Sequence, residues 1–123
     1  MAKKIKKNQS NNLLNSIIEG IKAKKGKDII SIDIKETGAG VCDYFIVCNG
    51  NSRTQTEAIA YSVEEQVRIN TGEKPWHREG LENAEWILLD YVDVVVHIFQ
   101  PEARTFYRLE KLWGDGIVEK IND

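Results

Sequence analysis

Asp90, Asp93 and His97 lie within "EWILLDYVDVVVHIFQ", one of the most apolar stretches of a 123-residue chain, and their types could do chemistry. Two carboxylates and an imidazole can hold a divalent cation or share acid and base roles. Their spacing speaks against it. Carboxylates that share an ion from one strand stand two residues apart, pointing to one face, whereas Asp90 and Asp93 are three apart across a short turn. An Asp at each end of such a turn more often bonds local amides. His97 shares a strand face with Asp93, Val95 and Phe99, and no Ser or Cys nucleophile is fixed beside it in sequence, which favours a hydrogen-bonded structural histidine. A metal-dependent nucleotidyltransferase or hydrolase using Asp90, Asp93 and His97 stands as the alternative function.

The other reactive groups point the same way. Cys42 and Cys48 are six residues apart, form no CxxC and have two distant histidines for company, so reduced thiols are expected, and no metal or cofactor. "NGNSRTQ" (49–55) joins a strand to a helix, where amides and the helix dipole can meet an anion. It lacks GxxxxGK[ST] and the three glycines of GxGxxG, while Ser52 followed by Gln55 is a capping box. Trp113 fits a helix stripe and is expected in the core. Trp86 opens a strand on the face of Leu88 and Asp90. Trp76 follows Pro75 in an edge segment, with His77 next to it and Glu79, Glu82 and Glu85 close by; aromatic anchors among acids read as a contact surface.

The elements that must carry these residues follow from periodicity. Leu14, Ile17, Ile18 and Ile21 predict a first helix from about Asn12 to Lys25, stopped by Gly26. "DIISIDI" (28–34) alternates as a strand and "DYFIVCNG" (43–50) is a central one. Ile59, Val63 and Val67 give the buried stripe of a helix from Ser52 to Gly72. "KPWHREG" (74–80) is a short extended piece that Pro75 confines to an edge or a strand start, and "WILLD" (86–90) and "DVVVHIF" (93–99) form a hairpin. Pro101 opens a last helix with Phe106, Leu109 and Trp113 on one stripe, closed by Gly114 and Gly116. The order α-β-β-α-β-β-β-α predicts a single α/β domain with a mixed sheet and helices mainly on one face.

Charge divides the chain. Residues 1–27 carry eight lysines against Glu19, and residues 28–123 carry nine basic against eighteen acidic side chains. Residues 1–10 are expected to be a flexible basic arm, 11–118 the domain and 119–123 a C-terminal tail. The arm suits non-specific contact with phosphates, whereas the acidic body prefers a basic protein surface. No segment has the roughly 18 apolar residues of a membrane helix, and no apolar run follows the N-terminal lysines as in a signal peptide, so a cytoplasmic protein without membrane contact is expected.

Two blocks, "CDYFIVCNGNSRTQTEAIA" and the pattern from Trp86 to Trp113, W-x-L-L-D-Y-x-D-V-V-V-H-I-F-x-x-x-x-R-x-x-Y-x-L-E-x-L-W, resemble the ribosomal silencing factor RsfS, the Iojap-related family. The resemblance spans about residues 13–113. It implies a nucleotidyltransferase-like fold without catalytic carboxylates, and a non-enzymatic protein. Such a protein binds the large ribosomal subunit through its ribosomal protein fourteen, blocks joining to the small subunit and represses translation when nutrients are limiting. The implied contact surface includes Trp86 with acidic and apolar neighbours, expected here as Leu88, Asp90, Trp76, His77, Glu79 and Glu82; a homodimer is also implied. Many relatives have glycine where this chain has Val92. A β-branched residue resists positive φ, so the hairpin is expected to turn differently or to place its left-handed residue elsewhere.

Overall fold

Apolar residues spaced for helix or strand become a mixed α/β fold in a computed structural model, which describes residues 2–35, 42–107 and 116–122. In chain order the elements are α1 (Ala2–Ala23), β1 (Lys27–Asp33), β2 (Tyr44–Asn49), α2 (Arg53–Thr71), β3 (His77–Glu79), β4 (Trp86–Asp90), β5 (Val94–Phe99), α3 (Pro101–Tyr107) and β6 (Ile117–Lys120). One sheet runs in the order β3-β4-β5-β2-β1-β6. Its pairs are antiparallel except β2 with β5, whose parallel register sets Phe45 beside Val95 and Val47 beside His97. Among the described residues no helix is long and apolar enough to cross a membrane.

Strand alternation gives the sheet two apolar faces. On one, Ile29, Ile46, Cys48, Ile87, Leu89, Val94, Val96 and Ile98 pack under Leu13, Ile17 and Ile21 of α1 and Ile59, Val63 and Val67 of α2. Each of these side chains, fully buried, is worth roughly 1.5–3 kcal/mol of transfer free energy. On the other face, Ile30, Ile32, Ile34, Phe45, Val47, Val95 and Phe99 form a second cluster, with Ala103 of α3 against it. Strands that are apolar on both faces are therefore central, and β5 is buried along its whole length.

The α2 start is held as its sequence predicts. Ser52 has extended φ and ψ, and its hydroxyl accepts from the Gln55 amide at 3.1 Å. The Gln55 side chain reaches one residue beyond the cap: Oε1 accepts from Asn51 N–H at 2.7 Å, and Nε2 donates to the Lys24 and Lys25 carbonyls at 3.1 and 3.0 Å. One glutamine thus satisfies the start of α2 and the end of α1. Further along, α1 and α2 touch at Gly20, where an added Cβ would lie 2.6 Å from Val63 Cα. The Gly20 carbonyl accepts from Ser62 Oγ at 2.8 Å.

Four expectations need correction. First, α1 runs from Ala2, so no helix start falls at Asn12; Ala, Lys, Gln and Asn continue a helix, and neither Gly nor Pro interrupts residues 2–19. Secondly, the left-handed residue after α1 is Lys25, at φ 59°, and not Gly26, whose lack of a side chain instead leaves room for Ile21. Thirdly, β6 spans the boundary placed at residue 118, pairing Val118 with Ile32 and Glu119 with Ser31. All four of its residues are exposed, so its strand character comes from the free edge of β1 and left no apolar pattern to read. Fourthly, Val92 itself takes the positive φ, at 75°. Asp90 Oδ1 accepts from its amide at 2.8 Å, and the flanking ladder overrides the side chain's preference. Leu109, Trp113 and Gly114 lie outside the described residues, as does the Phe106 side chain.

Candidate functional site

The hairpin register decides which sequence candidates meet. His77 pairs with Asp90, Glu79 with Leu88, Leu88 with His97 and Trp86 with Phe99. Residues paired across a ladder share a face. So His77, Glu79, Trp86, Leu88 and Asp90 stand together on the side of the sheet away from α1 and α2, beside the buried His97 and Phe99. Exposure grades across it: β3 is exposed, Trp86, Leu88 and Asp90 are half-buried, and β5 is buried. Two candidates sit at the margin. Trp76 is 78% exposed, just before β3, with its amide donating to the Asp90 carbonyl at 2.7 Å. Exposed Glu82 lies between β3 and β4, its carbonyl accepting from the Arg53 guanidinium.

Trp86 is tied to the interior along one side. Its Nε1 donates to His97 Nδ1 at 3.0 Å, and its ring stacks on Phe99 with centroids 5.0 Å apart. Phe45 meets the imidazole edge-on at 4.9 Å. His97 is 4% exposed, and burial among these rings pushes its pKa down from 6.5 to about 4. The ring is therefore neutral near pH 7. Because Nδ1 accepts from the indole, the proton sits on Nε2, which is buried without a hydrogen-bond partner among the described residues. Sequence reading placed His97 on this face but missed its bond to Trp86. The signal was available: a turn at Tyr91–Asp93 puts Leu88 opposite His97 and brings Trp86 diagonally within reach of it.

The acid and base candidates do not form a site. Asp90 faces Val95 across the ladder, and its carboxylate caps the turn at Val92. The Asp93 carbonyl accepts from the Asp43 and Tyr44 amides at 2.8 and 3.2 Å, joining the hairpin turn to the start of β2. Among the described residues no three His, Cys, Asp or Glu side chains are placed to share an ion. Burial pushes the Cys42 and Cys48 thiols up to about 12, Cys42 with help from the Asp90 charge, which leaves both as protonated, unreactive packing groups. What remains on this face is a surface: one anchored indole, a half-buried leucine and the side chains of Glu79 and Asp90, with exposed Glu82 at its margin. His77 Nε2 lies 3.4 Å from Glu79 Oε1, an ion pair only when the ring is protonated.

Known proteins resemble this chain in sequence and in fold. The family described as ribosomal silencing factor during starvation, RsfS, matches residues 7–123. Ribosomal silencing factor RsfS of Bacillus subtilis is 44% identical over 93 residues, which cover 76% of this chain and 77% of that protein. RsfS of Halalkalibacterium halodurans is 38% identical over 104 residues, covering 85% of this chain and 87% of the relative. A crystal structure of a Chromobacterium violaceum protein superposes with a TM-score of 0.79 at 36% identity, covering 85% of each chain.

Proposed function

Because the chain belongs to the ribosomal silencing factor family, whose members are regulators and not enzymes, we propose that it binds the large ribosomal subunit and keeps it from joining the small one. The docking face is the one built by His77, Glu79, Trp86, Leu88 and Asp90, with Trp76 and Glu82 at its margin. The contact is large-subunit ribosomal protein fourteen. The cytoplasm is the setting, and repressed translation under nutrient limitation is the outcome.

The observation that carries this reading is the half-buried Trp86. Stacking on Phe99 and the bond to His97 fix the indole in advance, so docking it costs little side-chain entropy, and aromatic anchors of this kind dominate interface energies. Silencing needs no turnover. It needs a rigid body whose bulk collides with the incoming subunit, and a sheet with two apolar faces supplies rigidity. Eighteen acidic against nine basic side chains in residues 28–123 suit a basic ribosomal protein and speed encounter at low salt. The Lys-rich arm, residues 1–10, adds contacts to ribosomal RNA phosphates without sequence preference.

Sucrose-gradient sedimentation of purified subunits tests the proposal. With the protein present, 70S particles should fall and free large subunits should carry it. Unchanged reassociation rejects the function. Leu88→Glu places a charge in the middle of the face, and should abolish co-sedimentation. Wild-type pelleting of that variant would reject the placement of the interface.

A further inference from the structure

On the opposite side of the sheet edge, α2 and the segment entering β3 enclose a groove of about 400 Å³ lined by Tyr61, Glu64, Glu65, Arg68, Lys74, Pro75 and Arg78. It lies apart from the docking face: Arg78 pairs with Leu89, a residue of the helix-side core, whereas His77 and Glu79 project to the other side. A strongly acidic body has only nine cationic side chains in residues 28–123, and three of them converge here. Both carboxylates are engaged. Glu64 Oε2 lies 2.7 Å from Arg78 Nε, and Glu65 pairs with Arg68 on the helix surface. Lys74 has no carboxylate partner among the described residues, and Tyr61 is 55% exposed, an aromatic face with nothing packed to hide it.

The polar network beside the groove is also incomplete. Tyr91 is 4% exposed, and its hydroxyl has no hydrogen-bond partner among the described residues. Burial, then the charges of Glu64 and Glu73, raise its pKa, while Arg78 lowers it, so this buried phenol sits within electrostatic reach of the residues at the groove wall.

We infer that this groove binds a nucleoside phosphate, its base on the Tyr61 ring and its phosphate on Lys74 between Arg68 and Arg78. An apolar ligand would leave Lys74, the groove cation with no carboxylate partner among the described residues, unused. A bare phosphate would leave Tyr61 and Pro75 uncovered. An added peptide strand would find only three residues of β3 to pair with. The volume lies within the range of small-ligand sites, and a base stacked on an exposed aromatic needs no particular base edge. The nucleotide comes either free or as part of a single RNA strand.

Fluorescence anisotropy with labelled AMP and GMP, competed by unlabelled nucleotide and by inorganic phosphate, and repeated with a labelled single-stranded RNA decamer, tests the assignment on the full chain. The nucleotides should compete roughly ten- to a hundredfold better than inorganic phosphate, the share due to stacking. Tyr61→Ala should erase that advantage, and Lys74→Glu should weaken every probe. Both residues lie at the surface, so circular dichroism of the variants should match wild type. Binding of the mononucleotides assigns a free ligand; binding of the decamer alone assigns an RNA strand, and either result upholds the site. No binding of any probe, or affinities that both variants leave unchanged, overturns it.

Discussion

Acid should weaken this fold through one buried imidazole. His97 titrates near 6.5 in the unfolded chain and at about 4 in the folded one, because the folded ring is enclosed by Phe45, Trp86 and Phe99 with no acid beside it. Between those values the unfolded state binds a proton that the native state refuses, so stability rises with pH there. The contribution is fully present above about pH 6.5 and is lost as pH falls towards 4. Integrating the linkage from pH 7 to pH 4.5 gives a loss of roughly 2 kcal/mol from this group alone. Carboxylates titrate in the same range, so the measurement must be a difference. His97→Asn keeps an acceptor near the position of Nδ1 for the Trp86 indole, yet cannot titrate. Urea unfolding of wild type and variant at pH 7 and pH 4.5, followed by tryptophan fluorescence, yields four free energies. Wild type should lose roughly 2 kcal/mol more than the variant over that interval. Equal losses, within about 0.5 kcal/mol, would show that His97 is not held neutral by burial and would undo the account of how Trp86 is fixed.

Other outcomes follow from single contacts. Trp86→Phe keeps the stack on Phe99 but strands His97 Nδ1, and should cost about 1–3 kcal/mol in thermal or urea unfolding, with a weaker grip on large subunits in co-sedimentation. Val92→Gly relieves a β-branched residue at φ 75° and should raise the unfolding free energy by about 0.5–1 kcal/mol, the gain reduced by the freer unfolded chain. Gly20→Ala drives a methyl to 2.6 Å from Val63 Cα, so α1 and α2 must separate; a loss of roughly 1–3 kcal/mol is expected by differential scanning calorimetry. Ser52→Ala removes the acceptor for the Gln55 amide and should cost about 1 kcal/mol by the same measurement.

Much of the architecture was legible because local chemistry and tertiary packing agree. Ile59, Val63 and Val67 recur at every fourth residue, so only a helix with that face inward buries them together, and Ser52 with Gln55 marks its start. "DIISIDI" could alternate only as a strand, and its Ile30, Ile32 and Ile34 do share a core.

What sequence could not decide was anything set by pairing with a distant segment. Residues 117–120 are a strand because β1 offers a free edge, a condition their own side chains do not encode. Val92 occupies a conformation its side chain disfavours because Asp90 and the two flanking strands determine the turn, and a ladder of several hydrogen bonds outweighs a local cost of about 1–2 kcal/mol. Trp86 and His97 stand eleven residues apart, and only the folded hairpin turns that separation into a 3.0 Å bond. Periodicity marked which faces are apolar enough to be buried, since the driving force follows apolar area; which polar groups meet depends on register, and register is a property of the assembled sheet.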